Sequence, residues 1–178
     1  MNKPLFFLLA SGLLSAAPVW AAEGDCDQAR TAHERGDYAA ELAIVRPLAE
    51  QGYPYAQFNL GVLYDNGYGM PEDNAQAMIW YRKAAEQGLP QAQVNLAIMY
   101  EEGEGIPADY VEAYLWYALA DAQGDSQAPQ AKRDIAKKMT PAQIETAEQR
   151  IKEFNATHLF RIPTTPPVPD SGSTHGNG

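Results

Sequence analysis

The chain has 178 residues, room for one domain, with 46% apolar and 20% charged residues and a formal net charge of -10. That acidic excess excludes nucleic-acid binding, which needs a basic surface to meet phosphates, and adhesion to an anionic membrane face. A single cysteine, Cys26, excludes an internal disulfide.

Residues 1–21 read as an export signal. Lys3 leads into an apolar run from Leu5 to Trp20, and the small residues Val19 and Ala21 frame a cleavage site after Ala21. The run is too short and wrongly flanked for a permanent membrane anchor. The mature chain is expected to begin at Ala22 outside the cytoplasm, in the periplasm, with secretion as the alternative. Gly24 and Asp25 put a charge beside Cys26 and argue against a lipid anchor there. That leaves a tolerated thiol or an intermolecular disulfide in an oxidising compartment.

Residues 22–128 carry eighteen acidic against five basic residues, and residues 129–161 carry seven basic against four acidic. The acidic part repeats itself at a spacing of 36: residues 56–91 are followed directly by a second copy at 92–127. Leu60, Tyr64, Gly67, Gly69, Pro71, Asp73, Ala77, Trp80, Ala84 and Gly88 all recur 36 positions later. The phase also reaches back to Asp37, Leu48 and Gly52, which predicts half a repeat before the two full ones. Self-similarity at this period marks a stack of one supersecondary unit.

Within each unit, Ala56, Leu60, Leu63 and Tyr64 follow one helix face, as do Ala92, Leu96, Met99 and Tyr100. The run Asn66-Gly67-Tyr68-Gly69-Met70-Pro71 stops that helix, because glycine supplies left-handed turns and proline cannot continue the backbone bonding. Asp73 with Gln76, and Asp109 with Glu112, read as capping boxes that start a second helix. Gly88 ends that helix. Trp80 and Trp116 fall on its apolar face and are expected in the core. The unit is a helical hairpin that cannot cover its own apolar stripe, so the stack needs neighbours and an end cap.

Ala131, Ile135 and Lys138-Met139 predict one more short helix. Thr140-Pro141-Ala142-Gln143 reads as N-cap, first-turn proline and capping-box glutamine, with Met139 and Ile144 as a hydrophobic staple. The closing helix, about 141–156, places Ile144, Ala147, Ile151 and Phe154 on one side. Residues 162–178 are rich in proline, glycine and small polar residues and read as a disordered tail. Residues 22–161 are therefore the expected folded domain.

The string A-x-x-N-L-G-x-x-Y-x-x-G-x-G-x-P-x-D-x-x-x-A-x-x-W-Y-x-x-A-A-x-x-G is met in full by residues 56–88, and its second copy departs at Ala97 and Asp121. It resembles the Sel1-like repeats, relatives of the tetratricopeptide repeats, over residues 30–156. The resemblance implies an all-α, right-handed solenoid of about two and a half repeats plus a C-terminal capping helix. It also implies a non-catalytic adaptor for another protein or peptide, often exported in bacteria. Fold alone does not assign function.

By analogy with tetratricopeptide repeats, the first helices line a concave surface. That surface would present Phe58, Asn59, Val62 and Asp65, then Val94, Asn95, Ile98 and Glu101. An asparagine amide there can clamp a ligand backbone with a donor and an acceptor, or bond a neighbouring loop or helix. The apolar members can meet a partner or pack against the next hairpin. The acidic stretch Glu101-Glu102-Gly103-Glu104, with Asp65, can meet a basic partner or a calcium ion, or stay solvated.

No catalytic residues, metal ligands or cofactor are expected. His33, His158 and His175 lack metal-site spacing, and no nucleophile elbow, Cys-x-x-Cys pair or phosphate-binding loop is present. A host-directed secreted factor is an alternative reading. A β-lactam-binding or β-lactam-hydrolysing enzyme, as in cysteine-rich relatives, is another; those carry a cysteine pair in each repeat, and this chain has none.

Overall fold

In the computed structural model the described residues are 19–158. They form eight helices and no strand: α1 (Val19–Glu34), α2 (Tyr38–Glu50), α3 (Pro54–Asp65), α4 (Asn74–Glu86), α5 (Pro90–Glu102), α6 (Tyr110–Ala122), α7 (Ala128–Ala136) and α8 (Pro141–His158). Each helix from α1 to α6 packs on the next in the chain, and α8 packs back on α6. The expected leader, apart from the start of α1, and the expected tail lie outside the described residues.

The repeat punctuation has the predicted geometry. Gly67, Gly69, Gly103 and Gly105 all sit at positive φ, between 66° and 77°. Two of them also allow a close approach between repeats. A Cβ on Gly69 would lie 3.1 Å from the Cβ of Tyr38, and one on Gly105 would lie 3.3 Å from the Cβ of Asn74. Each turn thus rests on the first residue of the preceding unit's second helix.

Asp73 caps α4 by accepting from the Gln76 N–H, and Asp109 caps α6 by accepting from Val111 and Glu112. The reciprocal half of the expected boxes does not form. The Asp73 N–H donates to the Tyr64 carbonyl and the Asp109 N–H to the Tyr100 carbonyl, so the turn itself satisfies those donors. The complete box is at α8, where Gln143 Oε1 accepts from the Thr140 N–H at 2.9 Å and Thr140 Oγ1 accepts from the Gln143 N–H at 3.3 Å.

The half repeat expected before the two full ones is a whole hairpin, since α1 pairs with α2. Its turn is the short Arg35-Gly36-Asp37, with Gly36 at φ 72°. The glycine-proline loop that marks the other units is missing, so the periodicity could not reveal it. Here His33 Nδ1 lies 2.8 Å from Glu41 Oε2, and Glu41 is buried at 4% exposure. That proximity gives the buried carboxylate a polar partner.

Two apolar clusters run along the stack. The first joins Ala29, Val45, Leu48, Ala49, Ala56, Leu60 and Leu63, with Trp80 packed on its edge. The second spans α4 to α8, and Ile144, Ile151 and Phe154 of α8 close it. Trp116 lies inside the second at 2% exposure, as expected. Trp80 departs from the expectation: it is half-buried. Its Nε1 is enclosed without a hydrogen-bond partner among the described residues, and the Lys83 ammonium sits 3.8 Å from its ring centroid.

Candidate partner-binding face

Helices α3 and α5 carry the eight candidate positions, and packing treats the two copies differently. Phe58, Asn59 and Val62 on α3 are half-buried. Phe58 leans on the Tyr81 ring, with centroids 5.7 Å apart. On α5, Val94 is buried at 9% exposure and belongs to the core, whereas Ile98 is exposed at 36%. An apolar side chain in the core gives its transfer energy to the fold and has none left for a partner.

The two acidic candidates are already bonded. Tyr81 donates its hydroxyl to Asp65 Oδ2 at 3.0 Å, and Tyr117 donates to Glu101 Oε2 at the same distance. These pairs occupy equivalent places in the two repeats. Glu101 is also paired with Lys138 at 2.7 Å. A buried hydroxyl without an acceptor would carry a desolvation penalty, and these carboxylates remove it. Burial, then the Asp65 charge, pushes the Tyr81 phenol far above its ordinary range, and burial with Glu101 does the same to Tyr117.

The asparagines part company as well. Asn95 lies beside the Tyr81 hydroxyl and favours its ionised form. Asn59 has no tyrosine at the matching place, because Val45 precedes Tyr81 by 36 residues. Its amide makes no hydrogen bond with any described residue. What this face leaves accessible is Phe58, Asn59, Val62 and Ile98.

Below it, the acidic turn gathers Asp65, Glu72, Glu102 and Glu104. Burial, then the charge of Asp65, raises the Glu104 carboxyl above its ordinary range. Among the described residues no group of His, Cys, Asp or Glu side chains is placed to hold a metal ion. No described helix is long and apolar enough to cross a membrane.

A polar ladder that sequence reasoning missed holds consecutive units together. Buried Gln57 donates to the Ala49 carbonyl at 3.2 Å and accepts from Gln87 at 2.7 Å. One repeat later, buried Gln93 donates to Ala85 at 3.0 Å and accepts from Gln123 at 2.8 Å. The signal was present: all four glutamines recur in register, at positions the family string leaves open. Buried amides of this kind are tolerated because their donors and acceptors are met.

The Sel1 repeat family model matches residues 54–89 and 90–125, units that each begin at the proline opening α3 or α5. Among solved structures, the chain is similar to a protective antigen present in uropathogenic Escherichia coli strains that displays an SLR fold. The identity is 29% and the TM-score 0.72, over 88% of this chain and 35% of that one, so this chain spans about a third of that protein's length. It is also similar to a Sel1 repeat protein from Oxalobacter formigenes, at 32% identity and a TM-score of 0.51, over 62% of this chain and 98% of the other. No curated protein matches. In-register turns, capped second helices and sequentially packed hairpins agree with these likenesses, and the chain belongs to the Sel1 repeat family.

Proposed function

We propose that this protein is a non-catalytic adaptor, exported to the periplasm, that binds another protein or peptide through the α3–α5 face. One observation carries the reading: α3 and α5 leave Phe58, Val62 and Ile98 accessible, and α3 carries an Asn59 amide with no partner among the described residues. An extended segment laid across α3 and α5 would gain apolar contact from the first three. Its backbone would gain a donor and an acceptor from Asn59. Asp65, Glu101 and Val94 contribute by holding the face rigid, which lowers the ordering cost of binding.

A photo-crosslinking residue at position 58 or 98, in cells, should trap one protein partner from the envelope fraction. The same residue at exposed position 145 on α8 should not. Equal adducts from all three positions, or adducts from α8 alone, would overturn the site. Export has its own test: the protein recovered from the envelope should begin at or next to Ala22, and an intact Met1–Trp20 segment would refute it.

Likeness to a protective antigen favours a second reading, release towards a host, with the same face meeting a host protein. Recovery of the protein from culture medium without cell lysis separates the two.

A further inference from the structure

A second surface lies on α4. Ala75, Met78 and Ile79, with Ile106 from the following turn, line an open groove of about 410 Å³ whose rim carries Arg82, Lys83 and Glu86. Ile79 is 45% exposed, one of the few large apolar side chains on the surface among the described residues.

The matching face of the next repeat shows what such a surface accepts. Thirty-six residues on, Ile79 becomes Leu115, and Lys83 becomes Leu119. Both leucines are 5% exposed, on a helix against which α8 packs. Helix α8 brings Ile144, Ala147 and Ile151 to the cluster, and its Glu148 carboxylate accepts from the Tyr114 hydroxyl at 2.8 Å. In this fold an amphipathic helix with a carboxylate beside its apolar stripe covers that face.

On α4 no described helix plays that part, and the charge differs. Arg82 and Lys83 are the only basic residues between Arg46 and Lys132, in the most acidic part of the sequence. Arg82 bonds the Tyr100 hydroxyl and Lys83 lies over Trp80, so among the described residues neither is paired with a carboxylate. Cations left unpaired beside an apolar groove favour an acidic partner and disfavour a basic one.

We propose that the α4 groove receives an acidic amphipathic helix of a partner protein, with apolar side chains on Met78, Ile79 and Ile106 and carboxylates on Arg82 and Lys83. This surface is separate from the α3–α5 face, and the proposal stands whether or not that face binds.

The test uses the full chain and two synthetic helices. One has the sequence of residues 141–158 with Arg150→Glu and Lys152→Glu. The other has the same sequence with Glu145→Lys, Glu148→Lys and Glu153→Lys. The acidic helix should bind at least about tenfold more tightly than the basic one, a preference that falls as salt rises. Lys83→Glu should reverse the preference, and Ile79→Glu should abolish binding of both. Both residues are exposed, and circular dichroism confirms that the variants keep the fold. Phe58→Ala with Asn59→Ala should change nothing, which separates this surface from the α3–α5 face. Equal affinity for the two helices, no binding of either, or indifference to Lys83→Glu would overturn the proposal. The last of these is also what a helix displacing α8 from α6 would give.

Discussion

Trp80 and Trp116 hold the same place in successive repeats, yet one is half-buried, its indole nitrogen unbonded among the described residues, and the other is 2% exposed. The difference comes from their neighbours. Phe154 of α8 meets Trp116 edge-on with centroids 5.4 Å apart, and Glu112, one turn earlier, accepts from its Nε1 at 3.2 Å. Arg150 then holds Glu112 from α8. Trp80 has Gln76 one turn earlier and Lys83 over its ring. In a stack whose stability is a sum of unit and interface terms, burial is a property of the interface, and the same residue type fills different roles along it.

The largest expected break in that comparison is Trp116→Ala, which should cost about 3–5 kcal/mol as large-aromatic truncations in cores do. Trp80→Ala should cost about 1–2 kcal/mol, in line with partial removal of apolar area from water. Urea unfolding of the two variants measures both. Equal losses would mean that α8 contributes nothing at Trp116.

The tyrosines sharpen the comparison through pH. Burial, then Glu148, pushes the Tyr114 phenol up to about 12, and Tyr81 and Tyr117 are raised further. A phenol whose folded pKa exceeds its unfolded value of about 10 contributes stability that is complete below about pH 10. That contribution is lost as pH rises through the folded value. Stability should therefore fall from about pH 10 upward, and Tyr81 and Tyr117 should ionise only as the stack opens. Phenolate absorbance followed together with helical circular dichroism checks this. Free ionisation of all ten tyrosines in the folded protein would contradict it.

A smaller effect separates Gly61 from its counterpart Ala97. A Cβ on Gly61 would lie 2.6 Å from Cδ1 of the Tyr81 ring, an overlap that a packed ring cannot relieve by rotating a flexible end. Gly61→Ala should cost about 1–3 kcal/mol, as overpacking does, despite alanine's better helix propensity. Ala97→Gly should cost about 1 kcal/mol, from propensity and lost contact. Thermal unfolding of both reads the contrast, and a stabilised Gly61→Ala would show that the ring moves aside.

Much of the fold was legible because the turn Gly-x-Gly-x-Pro-x-Asp fixes where one helix ends and the next begins, and residue types alone determine those backbone states. The first hairpin was not, because its three-residue turn lacks that punctuation. The face was legible as a set of positions. What each residue does there was not, since Tyr81 and Asp65 lie sixteen residues apart on different helices and periodicity does not say that a hydroxyl points at a carboxylate. The recurrence of the same spacing in Tyr117 and Glu101 is the one sequence signal that links them. The contrast between Trp80 and Trp116 could not be read from the repeat at all, because it is set by α8, which stands outside the periodicity.

The smallest effect concerns the two asparagines. Asn95 lies beside the Tyr81 hydroxyl from α5, so Asn95→Ala removes a polar neighbour from a phenol that donates to Asp65. The expected cost is about 1 kcal/mol, the order of one net polar interaction. Asn59 bonds no described residue, and Asn59→Ala should leave stability within about 0.5 kcal/mol of the unmodified chain. The two variants are then a matched pair for the adaptor reading: one alters the fold's own network, the other alters only what the face offers. Loss of crosslinking at position 58 in Asn59→Ala, with unfolding unchanged, would assign that amide to the partner. An Asn59→Ala variant as destabilised as Asn95→Ala would give the amide a role within the stack and remove it from the binding face.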